Sequence, residues 1–224
     1  MLTLISKFKE FGIADYCSAV PQDDGEGDTT YPEPRQVHII YESLFDRKDS
    51  YIKQEVLLEI SSRSLIEPTG NRQVNSLVAT TFPQISCDVA TCDIITALPE
   101  KTFLEKSFLL HELFTVGTAT VANRRSRHLY DLEKMMDKPF ARAAIKNNEL
   151  WESIRHHREV FTPISGVDYG CEIRDDICLT PPADIIEQWR DDYETMVGSM
   201  IYGDKLSFDE LLERISVLEK LYIR

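Results

Sequence analysis

The feature that most limits how this chain can fold is a change of hydrophobic period near Leu98. Before it, apolar residues come in short β-branched runs separated by turn-rich stretches. After it, they recur every three or four positions almost to the end of the chain. A strand-period segment followed by a helix-period segment predicts an α+β protein, with a sheet-bearing part over residues 1–97 and an all-helical part over residues 98–224. In the first part, Val37-His38-Ile39-Ile40-Tyr41 reads as a buried strand. The segment Tyr51 to Ser61 alternates: Ile52, Val56, Leu58 and Ile60 face one way, and Lys53, Glu55, Leu57 and Glu59 the other. The β-branched stretch from Ser76 to Leu98 predicts one or two more strands. Gln22 to Pro34 is too polar and turn-rich to pack, and reads as a solvent loop.

In the second part, Pro99 suits the first turn of a helix running to about Phe114. Further helices are expected over 126–136, 139–146, 149–160, 183–198 and 207–222. The last opens on Ser207-Phe208-Asp209-Glu210, a capping-box spacing.

The net charge is −13, which excludes a general affinity for bare polyanions. It leaves room for a locally basic cleft. Residues 121–160 hold 9 Lys/Arg against 6 Asp/Glu, so this stretch is +3 and the rest of the chain −16. Its cations gather in Arg124-Arg125-Ser126-Arg127-His128 and in Arg155-His156-His157-Arg158. A positive region on an acidic protein selects phosphate-bearing ligands. Five cysteines at scattered spacings fit neither a zinc CxxC pair nor a disulfide framework. No run approaches the roughly 18 apolar residues of a membrane span, and the first residues lack a signal-peptide core. A reduced, cytoplasmic protein with no membrane partner is the expectation.

Three positions are out of keeping with their surroundings. Lys106 falls inside the apolar arc formed by Phe103, Leu110, Leu113 and Phe114, with Lys101, Glu105 and Glu112 opposite. It must either snorkel to solvent or meet an anion. Asp131 sits at the edge of the stripe Leu129, Leu132, Met135, Met136; a surface ion pair with Arg127, four residues earlier, would account for it. Glu55 and Glu59 share a strand face, which serves a solvated surface as well as it serves Mg²⁺ ligation or activation of a hydroxyl. His111, on the flank of the Lys106 helix, reads as a satisfied, partly buried histidine. No P-loop, dinucleotide-binding, zincin or serine-hydrolase motif occurs.

Taken in order, Tyr51-Ile52-Lys53, the run Leu58 to Pro68, Pro99 to Lys106 with Leu109 to Glu112, and Ser126-Arg127-His128-Leu129-Tyr130-Asp131-Leu132 resemble the nucleotidyltransferase AbiEii/AbiGii toxin family. That family lies within the DNA-polymerase-β-like nucleotidyltransferases, and the similarity runs from about residue 37 onward. The resemblance implies a small mixed sheet flanked by helices, then a helical domain. It implies nucleotidyl transfer from an NTP (GTP for some members) to an acceptor such as a tRNA end, with Mg²⁺ as cofactor and a cognate antitoxin as partner. It assigns Glu59 as a catalytic carboxylate and metal ligand, Lys106 and Asp131 as catalytic residues, and Arg63, Arg127 and His128 as phosphate contacts. The family's glycine-rich turn followed by Asp-x-Asp has no counterpart before Tyr51. The expected sheet is therefore incomplete, and the chain as given is expected to be weak or inactive in catalysis. The rivals are a non-enzymatic remnant that binds an antitoxin or nucleic acid, and a helical scaffold in which Lys106 and Asp131 are ordinary core-edge residues.

Overall fold

The computed structural model describes residues 2–10, 12, 17–21, 35–43, 51–60, 65, 67–84, 91–116 and 124–223. The elements run α1 (Leu2–Glu10), β1 (Cys17–Pro21), β2 (Arg35–Tyr41), β3 (Glu55–Ile60), β4 (Thr69–Val74), α2 (Leu77–Thr81) and β5 (Cys92–Ala97). There follow α3 (Pro99–Thr115), α4 (Arg127–Met136), α5 (Pro139–Lys146), α6 (Asn148–Phe161), a 3-10 turn (Cys171–Arg174), α7 (Ile186–Met200) and α8 (Phe208–Tyr222). The α+β class is as expected. Two compact units result: Met1–Ser64 with Thr195–Tyr202, and Leu65–Glu194 with Gly203–Arg224.

The first unit carries the antiparallel sheet β1-β2-β3. Gln36 stands opposite Glu59, His38 opposite Leu57 and Ile40 opposite Glu55. This register puts Gln36, His38, Glu55, Leu57 and Glu59 on one face and Val56, Leu58 and Ile60 on the other, the alternation read from the sequence. The second unit carries a two-stranded antiparallel sheet, β4-β5. The single mixed sheet implied by the resemblance is thus corrected among the described residues: there are two sheets, and every pairing is antiparallel. Each pair joins strands consecutive in the chain, which turn back on one another and need no parallel crossover.

Two local readings also change. Leu77–Thr81 at the start of the Ser76–Leu98 stretch forms the short helix α2, capped by the Ser76 hydroxyl, which accepts the Ala79 amide at 3.0 Å, while Cys92–Ala97 forms the strand β5. Strand β4 (TGNRQV) has no apolar alternation to announce it, and its ladder with β5 supplies the order. The segment 22–34, expected as a solvent loop, lies outside the described residues.

In the second unit, α3 is packed by α4, α5 and α6. Phe103, Leu104, Phe108 and Leu110 are fully buried, as are Leu129, Leu132, Trp151, Ile154, Trp189, Ile215 and Leu218 around them. Full burial stabilises each large side chain by about 1.5–3 kcal/mol. Aromatic rings tie the helices: Phe108 lies 4.4 Å from Trp151, Trp151 5.5 Å from Tyr222, and Phe114 4.7 Å from Trp189, centroid to centroid. The Tyr222 hydroxyl shares a 2.8 Å hydrogen bond with Ser107 inside this core. At the end of the chain, α8 opens with the capping box read from the sequence.

With neighbours on several sides, α3 keeps only a half-buried strip through Thr102, Glu105, Lys106, Leu109 and Leu113. Lys101 and Glu112, expected opposite the core, are buried too. Lys101 pairs with Glu105 at 3.1 Å. Glu112 takes both arms of the Arg158 guanidinium, through Nε at 2.7 Å and through a second nitrogen. The Tyr169 hydroxyl also donates to it, at 2.7 Å. Arg155, on the same helix as Arg158, binds Glu152, Glu159 and the Tyr169 carbonyl. The second basic cluster therefore supplies structural guanidiniums. Removing one partner of a buried pair strands the other charge, at a cost of about 3–5 kcal/mol. Glu112→Ala should lower the urea-unfolding free energy by that amount; a loss under about 1 kcal/mol would contradict the clamp reading.

Candidate functional site

The sequence of α3 and α4 brings Lys106, His128 and Asp131 together. Lys106 projects from the middle of α3 toward α4, where helix spacing puts His128 and Asp131 on one side, three residues apart. Its ammonium lies 2.8 Å from Asp131 Oδ2 and 3.4 Å from His128 Nδ1. The two side chains of the ion pair are 22% and 40% exposed, so the ammonium is held in place yet open to a ligand. Asp131 thus bridges between helices, whereas the sequence alone also allowed a pair along α4 with Arg127.

The imidazole is neutral at physiological pH. Burial pushes the His128 pKa down to about 4, and the charges of Lys106 and Arg127 push the same way against Asp131. A neutral ring can accept from the ammonium at Nδ1, which leaves its proton on Nε2 as a donor. Lys106 has three donors, of which Asp131 and His128 use two, so one remains for an anion.

The turn leading into α4 is fixed by an acid that sequence reasoning did not single out. Asp192 of α7 accepts the Arg124 amide at 2.6 Å, the Ser126 amide at 3.0 Å and the Ser126 hydroxyl at 2.5 Å. Arg124 adopts φ 65°, a left-handed conformation that non-glycine residues seldom take. With two amides of this turn satisfied by Asp192, the neighbouring Arg125 and Arg127 stand exposed as side-chain cations. The signal for Asp192 was present: it lies on the stripe of Trp189, Tyr193 and Met196, where an acid needs a partner. Glu219 follows the same logic on α8, accepting the Leu179 and Thr180 amides at 2.5 and 2.9 Å. His111 is satisfied as expected: its Nδ1 accepts the Cys178 amide at 3.1 Å, and burial lowers its pKa.

Glu59 belongs to the other compact unit, on β3, where its carboxylate accepts from the Gln36 amide at 2.7 Å. Glu55 on the same face binds His38 at 2.9 Å and Lys53 at 3.3 Å; the His38 hydrogen bond holds its carboxyl below the ordinary glutamate value. Arg63 lies outside the described residues. Among the described residues, no group of three or more His, Cys, Asp or Glu is arranged to hold a metal ion. Glu59 has the Gln36 side-chain amide as its neighbour there, and no chemical step is assigned to the metal.

The chain thus has a sheet-bearing unit and a helical unit whose central helix offers a clamped, partly exposed lysine. The family model described as "Nucleotidyl transferase AbiEii toxin, Type IV TA system" matches residues 8–214, and the chain belongs to that family. It is a family of nucleotidyltransferase toxins from toxin–antitoxin systems. Comparisons with curated proteins and with solved structures give no match. Among the described residues, no helix is long and apolar enough to cross a membrane.

The neutral, buried His128 has a consequence for stability. Its folded pKa lies below the unfolded value of about 6.5. Between about pH 6.5 and 4 the unfolded chain binds the extra proton, so its contribution is present above that window and is lost as pH falls through it. The urea midpoint should fall across this range, and His128→Asn should flatten part of that slope. An unchanged slope in the variant would show that His128 is not the responsible group.

Proposed function

We propose that Lys106, Asp131 and His128 hold the phosphates of a nucleoside triphosphate, with GTP a candidate, and that Arg127 adds charge from the exposed turn. The single observation behind this reading is a partly buried ammonium with one donor to spare, with Arg125 and Arg127 exposed on the turn into α4. The Lys106 ammonium supplies the charge. Asp131 keeps it aimed, and the His128 Nε2 proton adds a neutral donor that survives from pH 7 down toward 4. Such preorganised charge stabilises a phosphoryl group as negative charge shifts onto it.

The reaction this cluster serves is nucleotidyl transfer to an acceptor, with a tRNA end the candidate, in a cytoplasmic toxin opposed by its antitoxin. Glu59 and Arg63, at positions matching the family pattern, are the further candidates for metal or acceptor contact and for phosphate contact. The sequence carries no glycine-rich turn followed by Asp-x-Asp, so Glu59 is the only matched metal-site carboxylate. This chain alone should therefore bind nucleotide but transfer it weakly. Mg²⁺ as cofactor remains part of the proposal for the family reaction only.

Calorimetry with GTP and Mg²⁺ tests the binding claim. Binding should weaken at least tenfold in Lys106→Ala and recover in part in Lys106→Arg. Equal affinity in all three proteins would overturn it. Incubation with labelled NTPs and total RNA tests the catalytic claim. Little label transfer is expected; strong transfer that vanishes in Lys106→Ala would refute the weakness proposed for this chain. Heat with tRNA that falls steeply with salt, and none with GTP, would favour the nucleic-acid-binding alternative.

A further inference from the structure

The cations of the +3 stretch do not all serve one place. Arg155 and Arg158 are bound to carboxylates, and Lys134 lies against Glu133. Arg124, Arg125 and Arg127 belong to the turn into α4, and Lys138, Arg142 and Lys146 remain, four residues apart along α5 and its N-cap, with no acid in that helix. Their spacing puts them on one side of the helix over about 12 Å. All three are exposed, and among the described residues no hydrogen bond or ion pair engages their side chains. Lys138 sits at the helix N-cap, where the helix dipole disfavours a cation and favours an anion.

Beside this stripe runs a hollow of about 410 Å³ lined by Arg142, Ile145, Lys146 and Leu221. Its second wall is α8, where Val217 and Leu221, one turn apart, are 52% and 48% exposed. The direction of α8 is set by Arg214, which binds Glu133 at 2.9 Å and also Asp137, just before α5. Position 214 therefore lies near the start of α5 and Leu221 near its end, so the two helices flank the hollow in the same sense. The acids of α8 are engaged elsewhere apart from Glu213: Asp209 binds Arg190, Glu210 caps the helix, and Glu219 holds 179–180. An aliphatic strip with a line of unneutralised cations along one edge calls for a ligand with both an apolar and an acidic side.

We infer that the α5–α8 groove is the docking site of a polypeptide partner, which enters as an amphipathic helix. Its aliphatic residues lie against Ile145, Val217 and Leu221, and its carboxylates, spaced four apart, meet Lys138, Arg142 and Lys146. A nucleic-acid strand fits less well. The lining offers no aromatic ring for base stacking. The site is separate from the Lys106 cluster and does not depend on the nucleotide reading.

The test uses the whole chain and two fluorescent probes: a 16-residue helical peptide with Glu at every fourth position beside a Leu stripe, and a 16-nucleotide oligo-uridine. The peptide should bind saturably and shift backbone amide signals of α5 and α8 in a ¹⁵N NMR spectrum. Affinity should drop at least tenfold in Arg142→Glu/Lys146→Glu and in Leu221→Asn, all exposed positions whose far-UV CD should stay unchanged. Lys106→Ala should keep peptide affinity within about twofold, which separates this result from failure of the nucleotide site. The inference is overturned by no peptide binding, by binding that the groove variants leave intact, or by oligo-uridine binding in the groove in place of the peptide.

Discussion

Enclosure of α3 is the constraint from which the helical unit follows. Packed by α4, α5 and α6, α3 still carries Glu100, Lys101, Glu105, Lys106, His111 and Glu112, and one carboxylate oxygen of Glu100 is buried with no hydrogen-bond partner among the described residues. The other five find counterparts within the unit. Lys101 turns to Glu105, and Glu112 is clamped by Arg158 and Tyr169. His111 gives up its charge and accepts an amide. Lys106 alone meets its partner, Asp131, at a boundary where both groups keep some solvent access. Lys106 is the candidate for ligand contact because its ion pair is the least closed of the set.

The same physics explains how remote segments are fixed. Asp192, Glu219 and Glu112 each sit on an apolar helical stripe and each reach across to another part of the unit. Two of them accept backbone amides in place of a helix cap. Asp192 orders the turn that carries Arg124 to Arg127, so the position of the phosphate candidates depends on a carboxylate of α7. Charge-assisted bonds of this kind contribute roughly 1.5–3 kcal/mol each, enough to hold a left-handed Arg124.

The helices were legible because their apolar period and their caps are local. Ser207 and Pro99 announce α8 and α3, and Lys106 stood out as a cation in an apolar arc. The amphipathic reading failed on Lys101 and Glu112, because periodicity reports the strongest face of a helix and not how many neighbours surround it. Strand β4 was missed because TGNRQV gains its order from pairing with β5. The split into two sheets depends on which strands pair, and single-strand patterns do not carry that. At the site, Lys106 and Asp131 could be named from the sequence. Their union with His128, and the anchoring by Asp192, depend on how α3, α4 and α7 pack.

The most direct test is a crystal structure of the chain with GTP bound. The account predicts a phosphate oxygen about 3 Å from Lys106 Nζ, with Asp131 still holding the ammonium and His128 Nε2 facing the nucleotide. A nucleotide bound elsewhere, with the Lys106–Asp131 pair untouched by any phosphate, would contradict it.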